Sequence, residues 1–437
     1  MNRRSARLAR LARSAGARHG MMVGGAMLVA GMLDYAVSVV AGRWLGPTGF
    51  GVFVSVTAIL QVLLGVATAI RIVVAHYGAA ITAHPGGAGE LGAFLRAVRS
   101  WCWRRGLAAT AIAVVVSPLL VRPLRLSTAW PLWAASGMVL MLFLREAALG
   151  ALQGVQAFDG LGLVQVCQAL LRITLAAALI ALGAGASGAI LAQPLAAAGA
   201  LALGARWLRP YLGARAEASG RRVSWAYSAS TVVGLTMLGV LTNLDALVVK
   251  MSFSPAVAGD YGPVVTFARI SFFVPCGLSF VLLPKATQRG ATGRDARPLV
   301  LLSLAAVLAP GLALSLGYLL APGAIVRHVF TGAYADPGVV LGLASLAATL
   351  HAGVNIWLTY ALAVGRPQFV YALAGLVLVQ AVLMFAAAGR GLTAMVLTMV
   401  AGGVVGNVGG WLTTCARRAE EGREAAAALP RAIEQGG

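Results

Sequence analysis

The sequence predicts an all-α polytopic membrane protein with about 12 transmembrane helices, in two six-helix parallel-repeat bundles around a central cavity. Of the 437 residues, 59% are hydrophobic and only 11% are charged, against about 25% charged residues in a typical soluble domain. The apolar residues form runs of about 20, enough to cross about 30 Å of hydrocarbon. A soluble enzyme, a disordered chain and a fibrous repeat are therefore excluded.

The apolar runs set the order of the predicted spans. They fall at about 20–41, 52–79, 105–121, 130–152, 160–183, 187–205, 225–249, 262–284, 298–320, 338–360, 367–388 and 391–414. The longest external loop, at about 321–337, leaves no room for an external catalytic domain. Because no nucleotide-binding loop, catalytic triad or paired catalytic carboxylates stand out, we expect a protein that is not an enzyme and uses no cofactor.

The basic residues set the predicted orientation. The net charge is +21, and all 34 basic residues except Lys250 and Lys285 are arginines. With the N-terminus inside, about four times as many of them fall in cytoplasmic segments as in external ones, as the positive-inside rule requires. We therefore expect a multi-pass protein of the cytoplasmic (inner or plasma) membrane with cytoplasmic N- and C-termini. The basic loops would contact anionic membrane lipids rather than nucleic acid.

The chain repeats itself at a constant offset of 211 residues. Asp34 recurs as Asp245, each after a leucine, and Gly154 recurs as Gly365. This offset predicts two halves of six spans, and since six is even, both enter the membrane in the same direction. The predicted domains are a basic N-terminal segment (1–19), an N-terminal bundle (20–208), a basic cytoplasmic linker (209–222), a C-terminal bundle (223–415) and a cytoplasmic tail (416–437).

Related motifs occur in the two halves. The first half reads LDYAVSVVAGRWLGPTGFGVFVSV and the second reads LTNLDALVVKMSFSPAVAGDYGPVVTFARI. Each has a span, a turn of the type LG-x-x-x-[FY]-G or a degenerate form of it, and a further span. Over residues 20–415 the chain resembles the polysaccharide flippase (oligosaccharide/polysaccharide transporter) family of the multidrug/oligosaccharidyl-lipid/polysaccharide exporter superfamily. Glycine and proline in the turns predict tight links between spans.

Polar side chains inside the predicted spans share helix faces. Gln61 and Arg71 lie on one polar stripe of the second span. Because a charge at bilayer depth costs at least about 2.5–3.5 kcal/mol, an arginine there faces a cavity or a partner. The predicted substrate-binding residues are Arg71, Arg269, Arg172, Arg145, Gln61, Gln165, Gln168 and Asn355. Hydrogen bonding between helices is the structural alternative for the same residues.

Arg145 directly precedes Glu146 in the fourth span. Adjacent residues on a helix do not face each other. Either of the two could therefore pair with another span rather than with its neighbour, and a purely structural role is an open alternative for both.

Asp34 and Asp245 occupy equivalent positions near the predicted outer ends of the first and seventh spans. A carboxylate in a low-dielectric site can exchange protons near neutral pH, and Asp245 could equally bind Na⁺ with oxygen ligands from Asn243 or Asn355. The resemblance supports ion coupling by H⁺ or Na⁺, since relatives carry coupling carboxylates in these two spans. The alternative is that each aspartate only pairs with an arginine of the cavity.

The resemblance implies a flippase that moves polyprenyl-pyrophosphate-linked oligosaccharide repeat units across the membrane for cell-surface polysaccharide biosynthesis. The arginines would bind the pyrophosphate, and the amides would bind sugar hydroxyls. A glycan polymerase or glycosyltransferases would be partners, and no metal site is expected. The alternatives are a cation-coupled multidrug or metabolite exporter of the same superfamily and a non-transport scaffold of a glycan-assembly complex.

Overall fold

A computed structural model describes the backbone of residues 3–82, 87–212, 225–279, 297–363 and 368–434. Side chains are described for residues 24–82, 89–212, 229–273, 298–362 and 368–413. All regular elements in these ranges are α-helices, as a bilayer requires of a chain that must satisfy its backbone hydrogen bonds internally. Nine of the described helices are long and apolar enough to cross a membrane, or ten with one bent pair counted as a span.

Five helices form the first half. They are α1 (Arg3–Thr82), α2 (Gly87–Val121), α3 (Trp130–Gly154), α4 (Phe158–Ala181) and α5 (Gly185–Leu212). Because α1 covers both the first and the second predicted spans, these five helices correspond to the six predicted spans of this half.

Eight described helices form the second half. They are α6 (Trp225–Leu241), α7 (Leu244–Ser252), α8 (Pro255–Ser279), α9 (Arg297–Leu320), α10 (Pro322–Phe330), α11 (Val339–Ala363), α12 (Gln368–Ala388) and α13 (Leu392–Glu434). The helices α9, α11 and α12 begin about 210 residues after α2, α3 and α4, which agrees with two parallel repeats. The predicted linker 209–222 lies largely outside the described residues, and the domain boundaries stay predictions.

The long helix α1 folds back on itself at Gly46. Its 80 residues would reach about 120 Å if straight. Gly46 has φ 66° and ψ 178°, a conformation open to glycine, and Pro47 then begins the second arm. Asp34 and Arg71 would be about 55 Å apart on a straight helix, yet both lie against the α3–α4 region. The link expected over RWLGPTGFG is therefore a single non-helical residue within otherwise helical chain.

The predicted seventh span, 225–249, is broken. Helices α6 and α7 meet at an angle of 47°, with Thr242 and Asn243 between them. The Asn243 amide donates a hydrogen bond to the Gly239 carbonyl at 2.9 Å, which satisfies a carbonyl at the end of α6. A second difference lies in the predicted external loop 321–337, where Pro322–Phe330 forms the short helix α10.

Packing between helices of the two halves runs mainly through α1. Within the first half, α3 packs on α1, α2 and α5, and within the second, α11 packs on α8, α9 and α13. Helix α1 crosses between them to reach α6, α7, α8 and α10. Gly65 of α1 faces the backbone of Leu235, and Gly239 of α6 faces the backbone of Val62, so the two helices approach closely at the middle of the molecule.

The apolar core is shared at one end of the molecule and divided at the other. Phe50 of the first half and Phe330 of the second belong to one shared core. Towards the links at 83–86 and 364–367, by contrast, Leu91 belongs to a core built only from first-half residues and Val370 to one built only from second-half residues. Within the described residues, the halves therefore join at the predicted external end and have separate cores towards the predicted cytoplasmic end.

Candidate functional site

An ion pair joins the first arm of α1 to α4. The Arg172 guanidinium donates from Nη1 to Oδ1 of Asp34 at 2.7 Å. The Arg172 side chain is 9% exposed, whereas Asp34 is 53% exposed. The Nε of Arg172 is buried without a hydrogen-bond acceptor among the described residues. The structure thus brings together a predicted substrate-binding arginine and a predicted coupling aspartate.

A second carboxylate and arginine lie in the second half, beside the break between α6 and α7. Asp245 is buried and accepts a hydrogen bond at Oδ2 from the Tyr261 hydroxyl at 3.0 Å. The backbone amides of Asp245 and Ala246 also interact with this carboxylate, while its Oδ1 receives no hydrogen bond from the described side chains. Arg269 donates to Oδ1 of Asn243 at 3.0 Å. Broken spans are where transporters expose groups that bind ions and substrates.

These two pairs form one electrostatic unit, here called the central cluster: Asp34, Arg172, Asn243, Asp245 and Arg269. Arg269 interacts electrostatically with both carboxylates and with Arg172. Two carboxylates and two guanidinium groups give the unit a formal net charge of zero. It spans both halves, so a change in how the halves pack would change its contacts.

A separate group, here called the first-half cluster, consists of Arg71, Arg145, Glu146, Gln153 and Gln168. Arg71 of α1 donates from Nε to Oε1 of Gln153 at 3.2 Å. Arg145 donates to the carboxylate of Glu146 and to the side-chain oxygen of Gln168 on α4. Arg71 also interacts electrostatically with Arg145 and Glu146. The cluster is richer in donors than in acceptors and carries a formal net charge of +1.

The expectation that Arg145 and Glu146 would not pair was wrong. The two side chains leave α3 in different directions, as expected. The long side chain of Arg145 nevertheless reaches both Glu146 and Gln168 on α4. The other half of the expectation, a partner on another span, is confirmed for Arg145 by Gln168.

Two glycines of α3 bring this cluster together. A Cβ on Gly150 would lie 2.5 Å from the carbonyl oxygen of Arg71, and one on Gly154 would lie 3.1 Å from the carbonyl oxygen of Ala75. The spacing of four residues puts both glycines on one face of α3. The backbones of α3 and α1 can therefore approach closely, beside the Arg71 side chain.

The remaining predicted substrate-binding residues, Gln165, Gln61 and Asn355, belong to neither of the two clusters. Gln165 lies one turn before Gln168 on α4, and its Nε2 is buried without an acceptor among the described residues. Gln61 is half-buried on the second arm of α1, where its backbone passes Gly239 of α6. Asn355 is half-buried on α11, and its carbonyl accepts a hydrogen bond from Thr359 at 2.8 Å.

The predicted external end is closed by hydrogen bonds between the halves. Arg43 donates to the Val329 carbonyl at 2.7 Å, and Arg125 donates to the Phe253 carbonyl at 2.7 Å. The Tyr334 hydroxyl donates to the Gly42 carbonyl at 2.5 Å. We call these bonds the external closure.

Tyr334 remains a hydrogen-bond donor in the external closure at ordinary pH. Burial of its phenol, and then the negative charge of Asp260, raise the pKa of Tyr334 far above its ordinary value. The hydroxyl proton that bonds to Gly42 is therefore retained.

Three site residues were not among the predicted ones: Glu146 as the partner of Arg145, Gln153, and Tyr261. Gln153 lies two turns beyond Arg145 on α3, a spacing that could have placed it on the same face. Tyr261 matches Phe50 at the repeat offset, but its bond to Asp245 depends on the fold of α7 against α8. Among the described side chains, no group of three or more His, Cys, Asp or Glu residues is arranged to hold a metal ion.

Comparisons with solved structures identify the fold. No protein-family model and no curated protein sequence matches the chain. An inward-facing multidrug resistance MATE family transporter of the MOP superfamily superposes with a TM-score of 0.66 at 12% identity, covering 89% of this chain and 96% of that one. The eukaryotic MATE transporter AtDTX14 gives 0.68 at 12% identity, covering 91% and 95%. The lipid II flippase MurJ, in an inward closed conformation, gives 0.66 at 12% identity, covering 90% and 87%. The chain thus has the fold of MOP-superfamily transporters.

Proposed function

We propose that this protein is a flippase that carries polyprenyl-pyrophosphate-linked oligosaccharide repeat units across the cytoplasmic membrane, for cell-surface polysaccharide biosynthesis. The observation that carries the proposal is the first-half cluster, in which two arginines inside a membrane bundle share one carboxylate. Holding charge at this depth is costly, and an anionic ligand would balance it. The shared fold with MurJ and MATE transporters supports a transport function.

The chemistry of the cluster suits a diphosphate. A guanidinium group presents paired N–H donors that match phosphate oxygens, and such charge-assisted bonds are about twice as strong as neutral ones. Arg71 is otherwise held by an uncharged amide at 3.2 Å, so it can exchange that partner for phosphate at little cost. Gln61, Gln165, Gln168 and Asn355 would donate to and accept from sugar hydroxyls, while the polyprenyl tail stays in lipid.

Translocation would proceed by rocking of one half against the other. The external closure and the separate cores at the opposite end are the arrangement expected of a state open to the cytoplasmic side. In the reverse state the bonds of Arg43, Arg125 and Tyr334 would break. Arg172 and Arg269 of the central cluster would meet the headgroup as it passes between the halves.

Asp34 and Asp245 are the proposed coupling groups, with H⁺ or Na⁺ as the ion. The Oδ1 of the buried Asp245 receives no hydrogen bond from the described side chains, and a proton or a cation would satisfy it. In this scheme the N- and C-termini are cytoplasmic. The glycosyltransferases or polymerase of the same glycan are proposed partners.

The same buried carboxylate favours a second candidate, a cation-coupled exporter of drugs or metabolites. Here Asp245 and Asp34 would bind the ion and the cargo in turn, and the first-half cluster would only hold helices together. The two candidates differ in whether Arg71 and Arg145 contact the cargo.

The discriminating experiment is a leaflet-accessibility assay with a labelled lipid-linked glycan in proteoliposomes. The proposal expects flipping by the wild type and at least a tenfold loss in the double variant Arg71→Ala/Arg145→Ala. The control variant Arg390→Ala removes an exposed arginine and should flip normally. Unimpaired flipping in the double variant would refute the proposed site, and transport of cationic dyes without any glycan flipping would favour the exporter.

A further inference from the structure

Glu146 is a buried carboxylate with one bonded oxygen. Its side chain is 1% exposed, and Arg145 holds Oε1. The other oxygen, Oε2, is buried without a partner among the described residues. Buried polar atoms are normally hydrogen-bonded, and one left bare costs about 1–3 kcal/mol. This oxygen is therefore an unsatisfied hydrogen-bond acceptor.

The polar and charged groups around Glu146 come from α1, from α4 and from its neighbour Arg145 on α3. From α1 comes the guanidinium of Arg71, and from α4 comes the uncharged amide of Gln168, through Arg145. The neighbouring turn of α3, at Leu144 and Ala147, packs on the Cys102 thiol of α2 and on apolar residues of α1, α2 and α5. Among the described groups that face it, Glu146 is thus the one anion between two cations.

The second half carries apolar residues at the positions that correspond to this charged pair. At the repeat offset of 211 residues, Arg145 and Glu146 correspond to Ile356 and Trp357. Both are 3% exposed and belong to the apolar core of the second half. Since equivalent helices can be packed with apolar residues at these positions, the charged pair of the first half is free to serve binding.

We propose that Glu146 is an internal substitute for the substrate's diphosphate: it occupies Arg145 in the empty protein, is displaced when the headgroup binds, and then takes up one proton from the cytoplasmic solvent. This inference rests on the proposed function and assigns it a second protonatable group, apart from Asp34 and Asp245.

The proton follows from charge balance. Two guanidinium groups and one carboxylate leave a net charge of +1, which a diphosphate diester of charge −2 would over-neutralise. Two anions side by side in a site of low dielectric favour protonation of one of them, and Oε2 is the atom with no competing partner. Because binding of the ligand would be accompanied by uptake of a proton, the affinity for the ligand should fall as the pH rises.

The test is calorimetric titration of the full-length protein in nanodiscs with a ten-carbon prenyl diphospho-N-acetylglucosamine, whose diphosphate diester does not titrate near neutral pH. Repeating the titration in buffers of different ionisation enthalpy counts protons. We expect the wild type to take up about one proton per ligand and to bind about tenfold more weakly for each pH unit above neutrality.

The variant Glu146→Gln keeps the shape but removes the negative charge. It should bind at least tenfold more tightly than the wild type at pH 8, without proton uptake, while the matched control Glu90→Gln should behave as the wild type. Binding by the wild type without proton uptake overturns this inference alone, and that measurement needs no variant to fold. Absence of binding in both the wild type and Glu146→Gln would instead overturn the proposed function, and this inference with it.

Discussion

The guanidinium of Arg43 donates to the carbonyl oxygen of Val329 at 2.7 Å and to that of His328 at 3.2 Å. These bonds tie the fold-back of α1 to α10, which lies in the other half of the chain. In the proposed transport cycle, the two halves have to break and remake these contacts.

Removal of this link should loosen the external closure. The variant Arg43→Ala loses charge-assisted bonds to two carbonyls, worth about 1.5–3 kcal/mol for a charged donor, so the externally open state should become about tenfold more populated or more. The measurement is labelling of a cysteine at Ser38, in a background without natural cysteines, by a membrane-impermeant maleimide. Arg122→Ala, an exposed arginine of the same end, is the control. Equal labelling rates in all three proteins would contradict a closing role.

The pair Asp34–Arg172 should respond unequally to loss of its two members. Asp34→Ala leaves a guanidinium at 9% exposure without its carboxylate, which costs about 1–3 kcal/mol or more for a charged group. Arg172→Gln leaves an aspartate that is half-exposed and can be hydrated. Thermal unfolding in detergent should therefore show a lower midpoint for Asp34→Ala than for Arg172→Gln. The reverse order would mean that the arginine finds water or another acceptor.

The close approach of α3 to α1 should tolerate no side chain at Gly150. A Cβ there would lie 2.5 Å from the Arg71 carbonyl oxygen, so Gly150→Ala must push the two helices apart, at a cost of about 1–3 kcal/mol. Stability and glycan flipping should fall together. Gly375→Ala is the matched control, because a Cβ at that position of α12 would meet nothing within 4 Å. A variant at Gly150 with normal stability and flipping would show that the approach is not needed.

Ion coupling should depend on Asp245. In proteoliposomes with an imposed H⁺ or Na⁺ gradient, Asp245→Asn should lose the acceleration that the gradient gives the wild type, while retaining flipping without a gradient. Asp336→Asn, which removes an exposed carboxylate, should respond as the wild type does. Gradient-driven acceleration that survives in Asp245→Asn would exclude this residue as the coupling group.

The fold was predictable from the sequence because hydropathy and the repeat are properties of whole spans. Runs of 20 apolar residues and a constant offset do not depend on any single contact. The breaks were not predictable at the same precision. A one-residue reversal at Gly46 and the bend at Asn243 are set by how neighbouring helices pack, and nothing local distinguishes them from an ordinary turn or a continuous span.

The sequence could indicate which residue types cluster inside the bundles, but it could not indicate their hydrogen-bond partners, and their roles in binding stay predictions. The cost of burying charge singled out Arg71, Arg145, Arg172 and Arg269 before any contact was known. Helical spacing alone could not show that Arg145 reaches back to Glu146, because that contact depends on the length and rotamer of one side chain. Nor could it join Asp34 to Arg172, which the fold-back of α1 brings together across 138 residues.

Binding of the diphosphate by Arg71 and Arg145 is tested most directly by an experimental structure of the protein bound to a short-chain lipid-linked glycan. We expect the diphosphate at the first-half cluster, with the guanidinium groups of Arg71 and Arg145 about 2.7–2.9 Å from its oxygens, and Arg145 detached from Glu146. A diphosphate bound elsewhere, with Arg71 still on Gln153 and Arg145 still on Glu146, would contradict this expectation.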